Sequence, residues 1–204
     1  MEQSYGLLGG TFNPPHLGHA RAAELVKQRL GLQKVIFMPA AVPPHKPLPE
    51  GSPGPADRLA MTRLLTEPLP YAEVSDYEMA KGGVSYTVET VHMLRQSCPG
   101  GKLYLICGSD MFLTLETWYR AAELLALCTV AALHRGTGED AGMRDQAGFL
   151  EREFGARSIL IDDPALAVSS SELRECIAAG CGMDYLPKKV YDYICAHHFY
   201  GAGG

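Results

Sequence analysis

Near the amino end, Gly9-Gly10-Thr11-Phe12-Asn13-Pro14-Pro15-His16-Leu17-Gly18-His19 brings together residue types suited to anion chemistry. Paired glycines let a backbone approach a phosphate closely. His16 and His19 stand three apart at the start of a helical pattern, so they project to one side and can donate hydrogen bonds to phosphate oxygens. The helix start adds partial positive charge. Phosphoryl-group chemistry rests on positioning and on neutralising developing charge, so such a set needs no protein nucleophile. A metal site would need third and fourth ligands at sensible spacing, and none is found, so no resident metal is expected.

Further along, Ser169-Ser170-Ser171-Glu172 has the S-x-x-E form of a capping box, with Arg174 following. Hydroxyls, free amides and a guanidinium at one helix start make an anion site, although the serines taken alone read as a simple helix cap. Lys46, beside His45, reads either as a mobile phosphate contact or as a solvated loop lysine. Asp110, after Gly108, is placed to bond a ribose hydroxyl or to cap a helix. Trp118, the one tryptophan, belongs by default in a core.

The elements that must hold these residues alternate between short apolar runs and longer amphipathic ones. This predicts an α/β fold, a Rossmann-like doubly wound parallel sheet with helices on both faces. Strands are expected at residues 4–8, 35–38, 71–74, 103–107, 129–133 and 159–161. Helices are expected at 19–30, 56–66 and 87–96, through 127, to Phe154, from Ser169, and from Pro187. Residues 39–55 hold seven prolines and two glycines, which predicts a long surface loop. The chain reads as a single domain over residues 1–200, with a disordered tail at 201–204.

Hydrophobic residues make up 47% and charged residues 20%, a globular balance with no stretch apolar enough to span a bilayer. The amino end lacks the basic and apolar segments of a secretory signal, which implies a cytoplasmic protein. Net charge is −5, and the one basic run is Lys188-Lys189, which argues against a nucleic-acid partner. Any anionic substrate must then be held by a few converging cations. The six cysteines show neither C-x-x-C nor zinc-finger spacing and read as reduced, buried thiols.

Gly9-Gly10-Thr11-Phe12 followed by His16-Leu17-Gly18-His19 resembles the H-x-G-H signature of the nucleotidyltransferase superfamily. Within it the chain is most similar to the bacterial nicotinate-nucleotide adenylyltransferase family. Pro43-Pro44-His45-Lys46, Ser85-Tyr86-Thr87, Gly108-Ser109-Asp110-Met111, Trp118-Tyr119, the serine element with Arg174, and Asp184-Tyr185-Leu186-Pro187 all fall in family order. The resemblance implies adenylyl transfer from ATP to nicotinate mononucleotide, giving nicotinate adenine dinucleotide and pyrophosphate in NAD biosynthesis. Mg²⁺ would arrive with ATP.

By the same resemblance, His16, His19 and Arg174 are catalytic. Gly9, Gly10, Thr11, Phe12, Gly18, Gly108, Asp110, Ser169, Ser170 and Ser171 join them in holding ATP. Lys46, Thr87, Trp118 and Arg135 would serve the acceptor. Asn13 replaces the more usual Asp, Ser109 an Ala, Ser171 a Thr and Leu173 an Ile. Nicotinamide mononucleotide or phosphopantetheine as acceptor, and a non-catalytic ATP-binding regulator of the same fold, remain alternatives. Self-association is left open.

Overall fold

Apolar runs bounded by glycine and proline become strands, and the amphipathic stretches between them become helices. The structure is a computed structural model that describes residues 3–44, 47–134, 140–162 and 169–202. Strand β1 (Ser4–Gly10) leads through the glycine-rich turn to α1 (Leu17–Leu30), and β2 (Lys34–Pro39) stops where the proline-dense stretch begins. Next come α2 (Pro55–Thr66), β3 (Ala72–Val74), α3 (Tyr77–Lys81) and α4 (Thr87–Ser97). They are followed by β4 (Lys102–Gly108), α5 (Ser109–Phe112), α6 (Ala121–Leu127), β5 (Thr129–His134) and α7 (Asp140–Phe154). The order closes with β6 (Arg157–Asp162), α8 (Ser170–Ala178) and α9 (Lys188–Ala196).

The strands form one sheet in the order β3-β2-β1-β4-β5-β6. Pairing is parallel from β1 through β6, with Leu7 opposite Leu105, Leu105 opposite Val130 and Val130 opposite Ser158. This is the expected Rossmann-like winding. Strand order reverses beside β1, and at such a switch the carboxyl ends of the strands take ligands. Val35, Phe37 and Met38 of β2 and Val130, Ala131 and Ala132 of β5 are fully buried, as strands covered on both faces require.

Two compact units divide the chain. The first comprises Met1–Gly9, Ala22–Ile36 and Tyr86–Ala165, and the second Gly10–Arg21, Phe37–Ser85 and Leu166–Gly204. In the first unit, Val88, Val91 and Leu94 turn inward from α4, as their spacing predicts. Gly6 is a close-approach position, since a Cβ there would meet Ile106 Cδ1 at 2.8 Å and Leu32 Cδ1 at 3.0 Å. Cys107 and Cys128 lie in this unit's core, and burial pushes both thiols up to about 12. Cys181, in the second unit, is instead exposed.

The buried apolar residues of the second unit include Met61 and Leu65 of α2, Leu173 and Ile177 of α8, and Val190 and Ile194 of α9. Helix α8 starts with both halves of the predicted capping box. Ser169 Oγ accepts from the Glu172 N–H at 3.2 Å, and the Ser169 N–H donates to the Glu172 carboxylate at 2.8 Å. The tail needs correction. Phe199–Gly201 forms a 3-10 turn and Ala202 is buried, because Tyr200 is anchored by its hydroxyl. Gly203 and Gly204 lie outside the described residues. Helix α3 went unpredicted because five residues are too few to display a period. No helix among the described residues is long and apolar enough to cross a membrane.

Candidate active site

The turn between β1 and α1 belongs from Gly10 onward to the second unit. Phe12 takes a left-handed φ of 49° there, an outlier for a bulky side chain. Its ring is buried against Phe37, with centroids 6.0 Å apart, and against His19 at 4.9 Å. His16 and His19 lie ring to ring at 3.8 Å, confirming the same-side projection that their spacing predicts. The His16 N–H donates to His19 Nδ1 at 3.2 Å. A neutral His19 therefore carries its proton on Nε2 and presents that nitrogen as a donor.

Burial dominates the electrostatics of the pair. It takes His16 from 6.5 down to about 4. Burial also holds His19 well below 6.5, with repulsion from His16 adding to it and a hydrogen bond with the His16 backbone opposing it. Both imidazoles are thus neutral in the free protein at pH 7. Nδ1 of His16 is buried and has no hydrogen-bond partner among the described residues.

Five side chains from distant parts of the chain fix this turn. Arg174 of α8 donates to the Asn13 carbonyl at 2.7 Å and to Ser171 Oγ at 3.1 Å, while Ser170 Oγ donates to the Pro14 carbonyl at 3.0 Å. The Tyr200 hydroxyl donates to Asn13 Oδ1 at 2.7 Å, and Asn13 Nδ2 donates to Ser52 Oγ in the proline-rich loop at 3.0 Å. Arg58 of α2, fully buried, donates to the carbonyls of Thr11 and Ala40 at 2.7 Å and of Ala41 at 2.9 Å.

The two sequence motifs are therefore brought together, with the start of α8 bonded directly to the H-x-G-H turn. Ser169 is occupied by its cap, and Ser171 is exposed beside Arg174. Arg58 and Tyr200 were not legible as site residues. A charged residue in an amphipathic helix predicts a solvated face, and Tyr200 stands at the last position before the tail expected at 201–204. The only available signal for Arg58 was an arginine at the i−3 position from the inward-facing Met61.

The remaining described candidates, Gly9, Thr87, Gly108, Asp110 and Trp118, lie in the first unit. Gly9 and Gly108 are exposed at the carboxyl ends of the paired strands β1 and β4, and a Cβ on either would meet nothing within 4 Å. Asp110 is exposed in the first turn of α5, whose N-cap is Gly108 and which has no side-chain cap. Thr87 opens α4, and Trp118 ends the 3-10 turn Leu115–Thr117. The rings of Tyr86 and Tyr119, their chain neighbours, meet at a tilt of 35° with centroids 4.3 Å apart. Trp118 is half-buried rather than a core residue. Lys46 and Arg135 lie outside the described residues. Among the described residues, no three His, Cys, Asp or Glu side chains converge as metal ligands would.

The model of the cytidylyltransferase-like family matches residues 7–176. A designated probable nicotinate-nucleotide adenylyltransferase of Listeria welshimeri is 36% identical over 201 residues, covering 98% of this chain and 99% of its own. One of a Synechococcus species is 40% identical over 203 residues, covering 98% and 96%. The chain belongs to the nicotinate-nucleotide adenylyltransferase family. A solved nicotinic acid mononucleotide adenylyltransferase of Plasmodium falciparum, complexed with NaAD, shares the fold at a TM-score of 0.79 over 98% of each chain, with 18% identity.

Departures from the adenylyltransferase pattern fit their surroundings. The Asn13 amide uses its oxygen for Tyr200 and its nitrogen for Ser52, and a carboxylate could not donate to a hydroxyl in this way. Asn13 thus has a structural task. Leu173 is fully buried, as the isoleucine it replaces would be, and Ser109 is small and buried.

Proposed function

We propose that this protein transfers the adenylyl group of MgATP to nicotinate mononucleotide, releasing pyrophosphate, as a cytoplasmic step of NAD biosynthesis. The acceptor phosphate oxygen attacks the α-phosphorus, the bond to the bridging oxygen of the β-phosphate breaks, and pyrophosphate leaves with that electron pair. No covalent enzyme intermediate is involved. The observation that carries this reading is the bonding of Ser170 and Arg174 to the H-x-G-H turn, which gathers two anion-binding motifs on one loop.

His16 and His19 act as neutral hydrogen-bond donors to the phosphates, His19 through Nε2. Gly9, Gly10, Thr11, Phe12 and Gly18 leave backbone close to the nucleotide. Gly108 and Asp110 serve it as well, with Asp110 assigned to a ribose hydroxyl. Ser169, Ser170 and Ser171 supply the start of α8, whose positive end favours anions. Thr87 and Trp118 are assigned to the acceptor, joined by Lys46 and Arg135. Mg²⁺ travels with the triphosphate, where it neutralises charge.

The test is pyrophosphate release with MgATP and, in separate reactions, nicotinate mononucleotide, nicotinamide mononucleotide and phosphopantetheine. Preference for the first is expected, and silence with all three would end the transferase reading. His19→Ala should lower kcat by about 10²–10³, the effect of losing one preorganised donor.

A further inference from the structure

Arg58 carries a charge that the fold hides completely, and, among the described residues, no carboxylate pairs with it. Its Nε–H is also buried without a partner. A buried cation solvated by carbonyl dipoles alone is costly, so a fold that keeps one gains something by it. The contacts indicate what that is. One guanidinium nitrogen bridges the Thr11 and Ala40 carbonyls, and the other takes Ala41.

The Thr11–Phe12 peptide is trans and planar, so drawing its carbonyl toward Arg58 turns the Phe12 N–H the opposite way. That N–H donates to no acceptor among the described residues. Phe12 meanwhile accepts a left-handed backbone that a bulky side chain avoids, and such outliers persist only where the surroundings over-determine them. Arg58 supplies that determination from within the same unit.

We propose that Arg58 is a positioning residue that sets the plane of the Thr11–Phe12 peptide and so aims the Phe12 N–H at a nucleotide phosphate. The inference rests on MgATP being a substrate. Arg58 touches no reacting atom. It acts through the turn, and its loss should weaken MgATP while leaving the mononucleotide acceptor unaffected.

The test uses the full chain with Arg58→Lys and Arg58→Met. In wild-type protein labelled with ¹⁵N, the Phe12 amide resonance should move on addition of MgATP; an unmoved Phe12 amide amid other shifts would overturn the proposal even if neither variant folds. By calorimetry, Arg58→Lys should bind MgATP about 10- to 100-fold more weakly, the span of one charge-assisted hydrogen bond, with an unchanged nicotinate mononucleotide Kd. Equal weakening of both ligands would make Arg58 merely structural. Full MgATP affinity in the lysine variant would show that charge alone suffices. Either result overturns the positioning role. Wild-type protein that binds MgATP yet releases no pyrophosphate ends the transferase reading, while the MgATP Kd values still decide the role of Arg58.

Discussion

Between pH 6.5 and about 4, the unfolded chain protonates a histidine that burial keeps neutral at position 16 of the folded chain. The unfolded state therefore binds more protons in this window, and stability falls as pH falls. His16 alone should remove about 3 kcal/mol across it, and His19 shifts in the same direction. Urea unfolding at pH 7 and at pH 4.5 should show a loss in wild type that shrinks in His16→Gln. An equal loss in both proteins would mean that His16 titrates freely. At this scale the sequence was most legible where chemistry was contiguous. His16 and His19 declare themselves by spacing within one turn. Arg58 does not, since a charged residue on a helix predicts a solvated face, and its burial is decided by carbonyls at positions 11, 40 and 41.

At the scale of elements, the starts and stops were legible wherever local chemistry sets them. The capping box put the start of α8 at Ser169, and the prolines placed the end of β2 and the start of α2. What could not be read was which element would be bonded to which turn, because Arg174 meets Asn13 across 161 positions. The turn Phe199–Gly201 is the sharpest case. Residues His198 and Tyr200 adopt left-handed φ values of 53° and 56°, a strain compensated by placing one hydroxyl on Asn13. Tyr200→Phe leaves the buried Asn13 oxygen without its donor and should cost about 1–3 kcal/mol of stability. Thermal or urea melting of this single variant checks it, and a change too small to measure would reduce the contact to packing.

For the molecule as a whole, the alternating pattern conveyed the sheet but not the division into two units, because each unit is assembled from three separated stretches of chain. No local signal announces where a chain will leave one cluster of contacts and return to it later. Thiol chemistry offers a global probe. With both thiols pushed up to about 12, Cys107 and Cys128 should be thiolate in only about one molecule in ten thousand at pH 8. Iodoacetamide labelling followed by mass spectrometry should modify exposed Cys181 in the native protein and reach those two only in urea. Early modification of Cys107 would mean that the core of the first unit opens readily. The bond from Tyr200 to Asn13 also bears on how the protein is made. It joins partners 187 positions apart, so a ribosome delivers the histidine turn well before its hydroxyl fastening. A nascent chain halted short of residue 200 should hold an unfastened turn, and competence for nucleotide would then serve as a marker that translation has passed that point.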